Sequence, residues 1–291
     1  MNMSVALLPA GSVSDEAAKK LFGNEEVIWK HHRLIADVFL STVNNVSQYS
    51  IIPIENTIEG SVSLHMDWLV HEVDLPIQAE WVYPSIQNLI GRRSELTGAD
   101  GELDLSKIKK VFSHPVAIAQ CLQFLRAEMP LAEKETVGST SEGVRIVRDN
   151  PDNGWAAIGT ATAAANQQLD VLASEITDHN NNFTRFLLVG NEPFTARESA
   201  SRKTSILITL PDDFPGALHR VLSAFAWRKI NLSKIESRPT KRQLGTYYFY
   251  IDIDMALDTV LLPSALEEIE ALGCQVRILG SYPSFTYEQL S

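Results

Sequence analysis

Small polar residues gather where apolar runs of this chain end. Gly11-Ser12 follows Val5 to Leu8, and Glu55-Asn56 follows Ile51 to Ile54. Ser113 closes Lys110-Val111-Phe112, with Gln120 about two helical turns further on. Ser139-Thr140 precedes another helical stretch, and Thr184-Arg185-Phe186 opens an apolar strand. Hydroxyls and amides donate and accept hydrogen bonds without bringing charge, and with helix starts beside them these turns suit an anionic ligand. Glu55 acts as an acid only if its pKa is raised; otherwise it is an orienting acceptor. Arg185 fits either a bidentate grip on a ligand carboxylate or a buried structural ion pair. For Glu55 and Asn56 a turn and helix cap is the plain alternative, and for Thr184 it is simple strand pairing. Metal or thiol chemistry finds no support: the two cysteines, Cys121 and Cys274, lie far apart in apolar stretches, and the seven histidines show no ligand spacing. His31-His32 sits in a polar, helix-like stretch, and His114 suits a helix's first turn.

The elements that must position these groups follow from patterning. With 291 residues and 45% hydrophobic content the chain is long enough for two cores. Lys and Arg number 25 against 36 Asp and Glu, a net charge of -11 with no basic run, which argues against nucleic acid or an anionic membrane as partner. An anionic ligand must therefore be caught by local donors. The N-terminus carries no basic leader, and no apolar run approaches the ~20 residues of a membrane span, so a cytoplasmic protein is expected. Strands are predicted at Ser4 to Leu8, Ser50 to Ile54, Lys110 to Ser113 and Trp155 to Gly159, with extended chain from Gln78 to Ile90. Helices are predicted after a Ser14 cap, over Val62 to Val70, over Val116 to Met129 with Pro115 in the first turn, and from Thr160. This alternation predicts a parallel α/β sheet with ligands at the carboxyl ends of its strands.

Residues 191–203 are polar and aperiodic and read as a linker. Beyond them come a strand Thr204 to Leu210, a helix Pro215 to Lys229, strands Leu232 to Arg238 and Gly245 to Asp254, a helix Val260 to Leu272 and a strand Gln275 to Ser281. This βαββαβ order is the ferredoxin-like plait, whose second face or edge must meet solvent or a partner.

Three stretches carry a resemblance. Pro53-Ile54-Glu55-Asn56-Thr57-Ile58-Glu59-Gly60-Ser61-Val62 resembles the PIENS-x-x-G-x-V segment of prephenate dehydratases, and Asn182-Phe183-Thr184-Arg185-Phe186 their N-x-TRF segment. Gly216-Ala217-Leu218, followed by Asn231-Leu232 and Glu236-Ser237-Arg238-Pro239, is similar to the GAL and ESRP motifs of the phenylalanine-binding ACT domain attached to those enzymes. The resemblance runs from Ser4 to about Pro283.

It implies an α/β fold: a two-lobed catalytic region like type II periplasmic binding proteins, plus a ferredoxin-like ACT domain. The catalytic domain would take residues 1–190, lobe one being 1–76 with about 177–190 and lobe two about 77–176; the ACT domain would take 204–283. The implied reaction turns prephenate into phenylpyruvate with loss of water and carbon dioxide, without cofactor or metal. Thr184, Glu55 and Asn56 are the implied catalytic residues, and Ser12, Ser113, Gln120, Ser139, Thr140, Arg185 and Phe186 the implied substrate-binding ones. One departure is Gly11-Ser12-Val13-Ser14 in place of the family's Gly-Thr-Phe-Ser, which keeps a hydroxyl but changes pocket shape. L-Phenylalanine is the implied allosteric inhibitor, held by Gly216, Ala217, Leu218, Asn231, Leu232, Glu236, Ser237, Arg238 and Pro239 between ACT units of a homodimer or homotetramer. Arogenate dehydratase on the same scaffold and a non-catalytic amino-acid sensor are the competing readings. With no chorismate mutase segment before Ser4, a fused bifunctional enzyme is not expected.

Overall fold

The computed structural model describes residues 3–98, 101–199, 201–212, 214–240 and 247–290. The first lobe is built from β1 (Met3–Leu7), α1 (Val13–Phe22), β2 (Val27–His31), α2 (Ile35–Val43), β3 (Tyr49–Asn56), β4 (Gly60–Ser61), α3 (Ser63–Asp67) and β5 (Ile77–Pro84). The second holds β6 (Asn88–Gly91), α4 (Arg93–Leu96), β7 (Lys110–Ser113), α5 (Pro115–Ala119), α6 (Leu122–Glu128), β8 (Glu133–Thr136), α7 (Thr140–Asp149), β9 (Trp155–Gly159), α8 (Ala161–Asn166) and β10 (Asp170–Ala173). The chain then returns to the first lobe as β11 (Phe183–Val189). The C-terminal unit is β12 (Arg202–Thr209), α9 (Ala217–Trp227), β13 (Leu232–Pro239), β14 (Tyr247–Ile253), α10 (Leu261–Ala271) and β15 (Gln275–Phe285). Of the strand expected from Gly245, residues 245 and 246 lie outside the described residues.

The second lobe forms a five-stranded sheet in the order β10-β6-β9-β7-β8. The first lobe and the C-terminal unit share one ten-stranded sheet, β13-β14-β12-β15-β5-β11-β3-β1-β2, with β4 paired to β3. Both sheets are mixed rather than parallel, because β11 runs antiparallel to β3 and β5, and β6 antiparallel to β9 and β10. Residues 85–87 and 174–182 carry the chain between the sheets, so everything between the two crossovers belongs to the second lobe.

Apolar residues on both faces explain why β3 reads as an unbroken run of isoleucines. Ile51 packs with Leu21 of α1, Trp81 and Phe186 on one face. Ile52 and Ile54 pack with Phe39 of α2, Leu187 and, from the C-terminal unit, Leu207, Tyr250 and Tyr282 on the other. The second face of the C-terminal sheet is thus covered by the first lobe of the same chain. Its α9/α10 face holds a separate core of Ile206, Val221, Phe225, Ile251, Leu262 and Ile269. What stays open is the edge strand β13, whose Ser233, Ile235, Ser237 and Pro239 are exposed.

The joint between the two sheets depends on close approach. Gly280 of β15 lies where a Cβ would sit 2.4 Å from the Ile77 carbonyl oxygen, so only glycine lets β15 cross there. Beyond it Ser284 and Phe285 pair in parallel with Glu80 and Trp81. The expected linker is also docked: Phe194 is buried against α1, and the Tyr49 hydroxyl donates to the Pro193 carbonyl at 3.1 Å.

Several local expectations change. Ser12, not Ser14, caps α1, its Oγ accepting from the Asp15 amide at 3.3 Å. The extended chain from Gln78 splits at the crossover into β5 and β6. The long helix expected over Val116 to Met129 breaks at Gln120 and Cys121, which end α5 and begin α6. His31 belongs to a strand instead of a solvated helix, with Nε2 3.1 Å from Asp15 Oδ1. The strands β2 and β10 and the helix α2 had no sequence-based expectation.

Candidate active site

The two crossovers bring three segments together: the end of β3, the end of β5 and the start of β11. Thr184 lies opposite Asn56 on one side and Tyr83 on the other. Along the β5 strand from Tyr83, Ser85 meets Asn182, their main chains joined by Ser85 N–H to Asn182 C=O at 2.8 Å.

The Asn56 side chain is fixed in orientation. Its Oδ1 accepts from the amides of Ile58 at 2.9 Å and Glu59 at 3.1 Å, which turns the chain toward β4. The Nδ2 group must therefore donate, and does so to Asn182 Oδ1 at 2.8 Å, Phe183 C=O at 3.1 Å and Thr184 Oγ1 at 3.1 Å. Thr184 Oγ1 also lies 2.6 Å from Ser85 Oγ. Asn182 Nδ2 donates to the Ser85 carbonyl at 3.2 Å and to Gln120 Oε1 at 2.8 Å. This neutral web runs from the first lobe through both crossovers to the second. Asn56 and Thr184 meet directly and Gln120 joins them through Asn182, from the broken end of α5 and not from a helix shared with Ser113. Ser85 was not foreseen, since it follows Pro84 in a stretch without periodicity. Asn182 could have been found, because it belongs to the N-x-TRF stretch.

Other expected residues sit differently. Ser113 is fully buried, its hydroxyl donating to the Ile158 carbonyl at 2.8 Å, so it ties β7 to β9 and does not line a crevice. Phe186 is buried and stacked on Trp81 with ring centroids 5.5 Å apart, a core residue and not a ligand contact.

Glu55 and Arg185 point to the opposite side of the sheet, toward the C-terminal unit. Arg185 holds Glu55 at 2.9 Å, Glu80 at 2.9 Å and Asp252 of β14 at 2.7 Å. Lys234 of β13 reaches Glu55 at 2.7 Å, and Lys203 reaches Glu80 at 2.8 Å. Burial pushes the carboxyls of Glu55 and Glu80 up, but the neighbouring cations outweigh it and both lie below the usual range. Glu55 is therefore an ionised partner in an ion network, not an acid with a raised pKa. Burial also works against the Arg185 charge, and Asp252 and Glu80 reverse it, so the guanidinium is firmly charged and already occupied.

The small-residue turns sit at helix starts, and one of them meets the other lobe. Gly11 has φ +75° and its carbonyl accepts from the Thr160 hydroxyl at 2.8 Å, so the turn after β1 touches the start of α8. Asp15 steadies that turn by accepting from Gly11 N–H at 2.9 Å. Ser139 caps α7 by accepting from the Glu142 amide at 3.1 Å, and Thr140 is the first residue of that helix. The His114 side chain accepts from the Val116 amide at 3.3 Å, capping α5, and burial lowers its pKa.

In the C-terminal unit Gly216 has φ +94° and opens α9 ahead of Ala217 and Leu218, with the Ala217 amide turned onto the Phe214 carbonyl. Asn231 Nδ2 donates to Asp254 at 2.6 Å, and Leu232 packs on the helix-side core. Glu236 and Arg238, expected at a ligand, instead face the first lobe: Ser61 donates to Glu236, and Arg238 pairs with Asp67 and donates to Ser63 at 3.1 Å. Strand alternation turns their neighbours Ser237 and Pro239 outward. Among the described residues no helix is long and apolar enough to cross a membrane.

Comparison with known proteins identifies relatives of nearly the whole chain. Residues 5–194 match the family model "Prephenate dehydratase" and residues 204–274 the model "ACT domain". The prephenate dehydratase of Bacillus subtilis (strain 168) is 41% identical over 95% of this chain and 97% of its own length. That of Methanocaldococcus jannaschii is 38% identical over 98% of this chain and 100% of its own. The structure of an Arthrobacter aurescens prephenate dehydratase in complex with L-Phe superposes with a TM-score of 0.85 at 30% identity, covering 97% of this chain and 90% of that one. These matches over nearly the whole chain place it in the prephenate dehydratase family, carbon–oxygen lyases, with an ACT domain at its C-terminal end.

Proposed function

We propose that the crevice at the crossovers converts prephenate to phenylpyruvate, and that L-phenylalanine at the ACT domain lowers this activity. In the reaction the ring C–O bond breaks and its electron pair leaves with the hydroxyl, which gains a proton and departs as water. The bond to the ring carboxylate breaks at the same time, carbon dioxide leaves, and the freed electron pair completes the aromatic ring. The protein has to help the hydroxyl go and let the carboxylate lose its charge in a water-poor site.

The observation that carries this reading is the neutral hydrogen-bonded setting of Thr184. Its hydroxyl accepts from a locked amide, is nearly buried, and faces no ionised carboxylate of its own web. A threonine is a poor acid, so it acts as a positioned donor to the departing oxygen, with the proton delivered through water. The helix starts at Ser12 and at Ser139-Thr140 supply backbone donors for the substrate carboxylates, in place of Arg185.

For regulation, the start of α9 at Gly216 and the outward residues Ser237 and Pro239 form the expected phenylalanine site, completed by a second copy along the open edge of β13. The ion network from Asp252 and Lys234 to Arg185 and Glu55 offers a path to the strand that carries Thr184.

The test is a side-by-side assay of the purified chain on prephenate and arogenate, with and without L-phenylalanine. Prephenate should be consumed to phenylpyruvate, phenylalanine should slow it, and Thr184→Ala should cut kcat by about a hundredfold or more while the fold is kept. Preferential turnover of arogenate, or full activity in Thr184→Ala, overturns the reading.

A further inference from the structure

The polarity of the web assigns a task to a residue that the family motifs leave aside. We propose that Ser85 is a positioning residue that, with Asn56, fills the acceptor sites of Thr184 and so aims the Thr184 proton at the substrate's departing hydroxyl. The inference rests on the reading of Thr184 given above.

The argument is one of counting donors and acceptors. A threonine hydroxyl has one proton and two lone pairs. Two backbone amides lock Asn56 Oδ1 as an acceptor, so Asn56 Nδ2 donates; its two protons are shared among Asn182 Oδ1, Phe183 C=O and Thr184 Oγ1, and the 3.1 Å contact to Thr184 engages the first lone pair. Ser85 Oγ stands 2.6 Å from the same oxygen and is itself buried, and among the described residues Thr184 is the only partner of its hydroxyl. Either hydroxyl could donate across this contact, and the one that accepts keeps a proton with no partner among the described residues; were Thr184 the donor, that proton would be Ser85's and none would be aimed from Thr184 at a ligand. With Ser85 donating instead, both lone pairs of Thr184 are used and its proton is free for a ligand. Donation into an oxygen also polarises its own O–H bond, making Thr184 a better donor to the developing hydroxide.

The site also explains why this serine is held so firmly. Its main-chain N–H donates to Asn182 C=O at 2.8 Å, and its C=O accepts from Asn182 Nδ2 at 3.2 Å. Asn182 in turn accepts from Asn56, so the groups that set the direction of the Thr184 proton brace one another.

The experiment compares Ser85→Ala, Ser85→Thr, Thr184→Ala and the double variant Ser85→Ala/Thr184→Ala in the full chain, by steady-state kinetics on prephenate and by thermal unfolding. Ser85→Ala should lower kcat about tenfold, the worth of one well-placed hydrogen bond, with KM within twofold. Ser85→Thr, which keeps the hydroxyl, should recover most of that loss. The double variant should be no slower than Thr184→Ala alone, because Ser85 acts through Thr184. Wild-type kcat in Ser85→Ala, or a double variant slowed by the product of the single effects, overturns the assignment to Ser85 while leaving that of Thr184 standing. A Thr184→Ala variant with undiminished activity removes both.

Discussion

Thr184 and Arg185 are neighbours on one strand and live in opposite worlds. Thr184 turns into a web of amides and hydroxyls that bridges the two lobes, whereas Arg185 turns into a buried ion network reaching from Glu55 and Glu80 to Asp252 of the ACT domain. The period of two along a strand makes this separation possible with no intervening residue. The ion network stays behind the sheet, and the web around Thr184 is uncharged. One face carries the amide and hydroxyl web, and the other joins the ACT domain.

The comparison breaks most visibly at Arg185. Arg185→Met leaves Glu80 and Asp252 buried without their shared cation and should cost about 3–5 kcal/mol of stability, read by denaturant unfolding. A variant of full stability with a raised KM for prephenate would instead put Arg185 on the substrate. Next comes acid. Asp15 is pushed up by burial but brought down to about 2 by the His31 ring, the Gly11 amide and Lys19. A depressed carboxyl contributes stability that is present above its ordinary value of 3.8 and is lost as pH falls toward about 2. The contribution is about 2 kcal/mol, so wild type should lose its margin over Asp15→Asn in that window, followed by unfolding at stepped pH. Lys234→Met should cost less, about 1 kcal/mol, because Arg185 still holds Glu55; its main mark should be a shifted phenylalanine dose curve, and an unchanged curve would remove the ion network from the regulatory path. Smallest is Thr184→Ser, which keeps the hydroxyl and should alter stability by less than about 0.5 kcal/mol while retaining much of the rate.

What the chain disclosed beforehand follows from the range of the interactions. Strand ends flanked by small polar residues are local signals, so the neighbourhoods of Asn56, Thr184 and Gly11 were legible, as was the βαββαβ order. Ser85 was not, because a crossover has no periodicity and its meaning comes from Thr184, ninety-nine positions away. Ser113 and Phe186 misled because a polar residue at a strand end, or an aromatic beside a motif, looks alike whether it faces a ligand or the interior. The Val116 to Met129 pattern satisfies helical spacing throughout, and the break at Gln120 comes from tertiary partners: its carbonyl accepts from the Asp178 amide at 2.7 Å and its side chain from Asn182. Arg185 left two readings open, and its pairing with Glu55, Glu80 and Asp252, the last supplied by another domain, favours the structural ion pair.

The pairing of Ser284 and Phe285 with β5 carries a practical lesson for anyone shortening this chain. Cutting the ACT domain away would strip a neighbour from β5, bare its backbone as an unguarded sheet edge, and uncover the Ile52, Ile54 and Leu187 face that Tyr250 and Tyr282 now shelter. Such a fragment would be sticky and prone to self-association, so removing the ACT domain by truncation and altering it by a point change at Gly216 are different experiments.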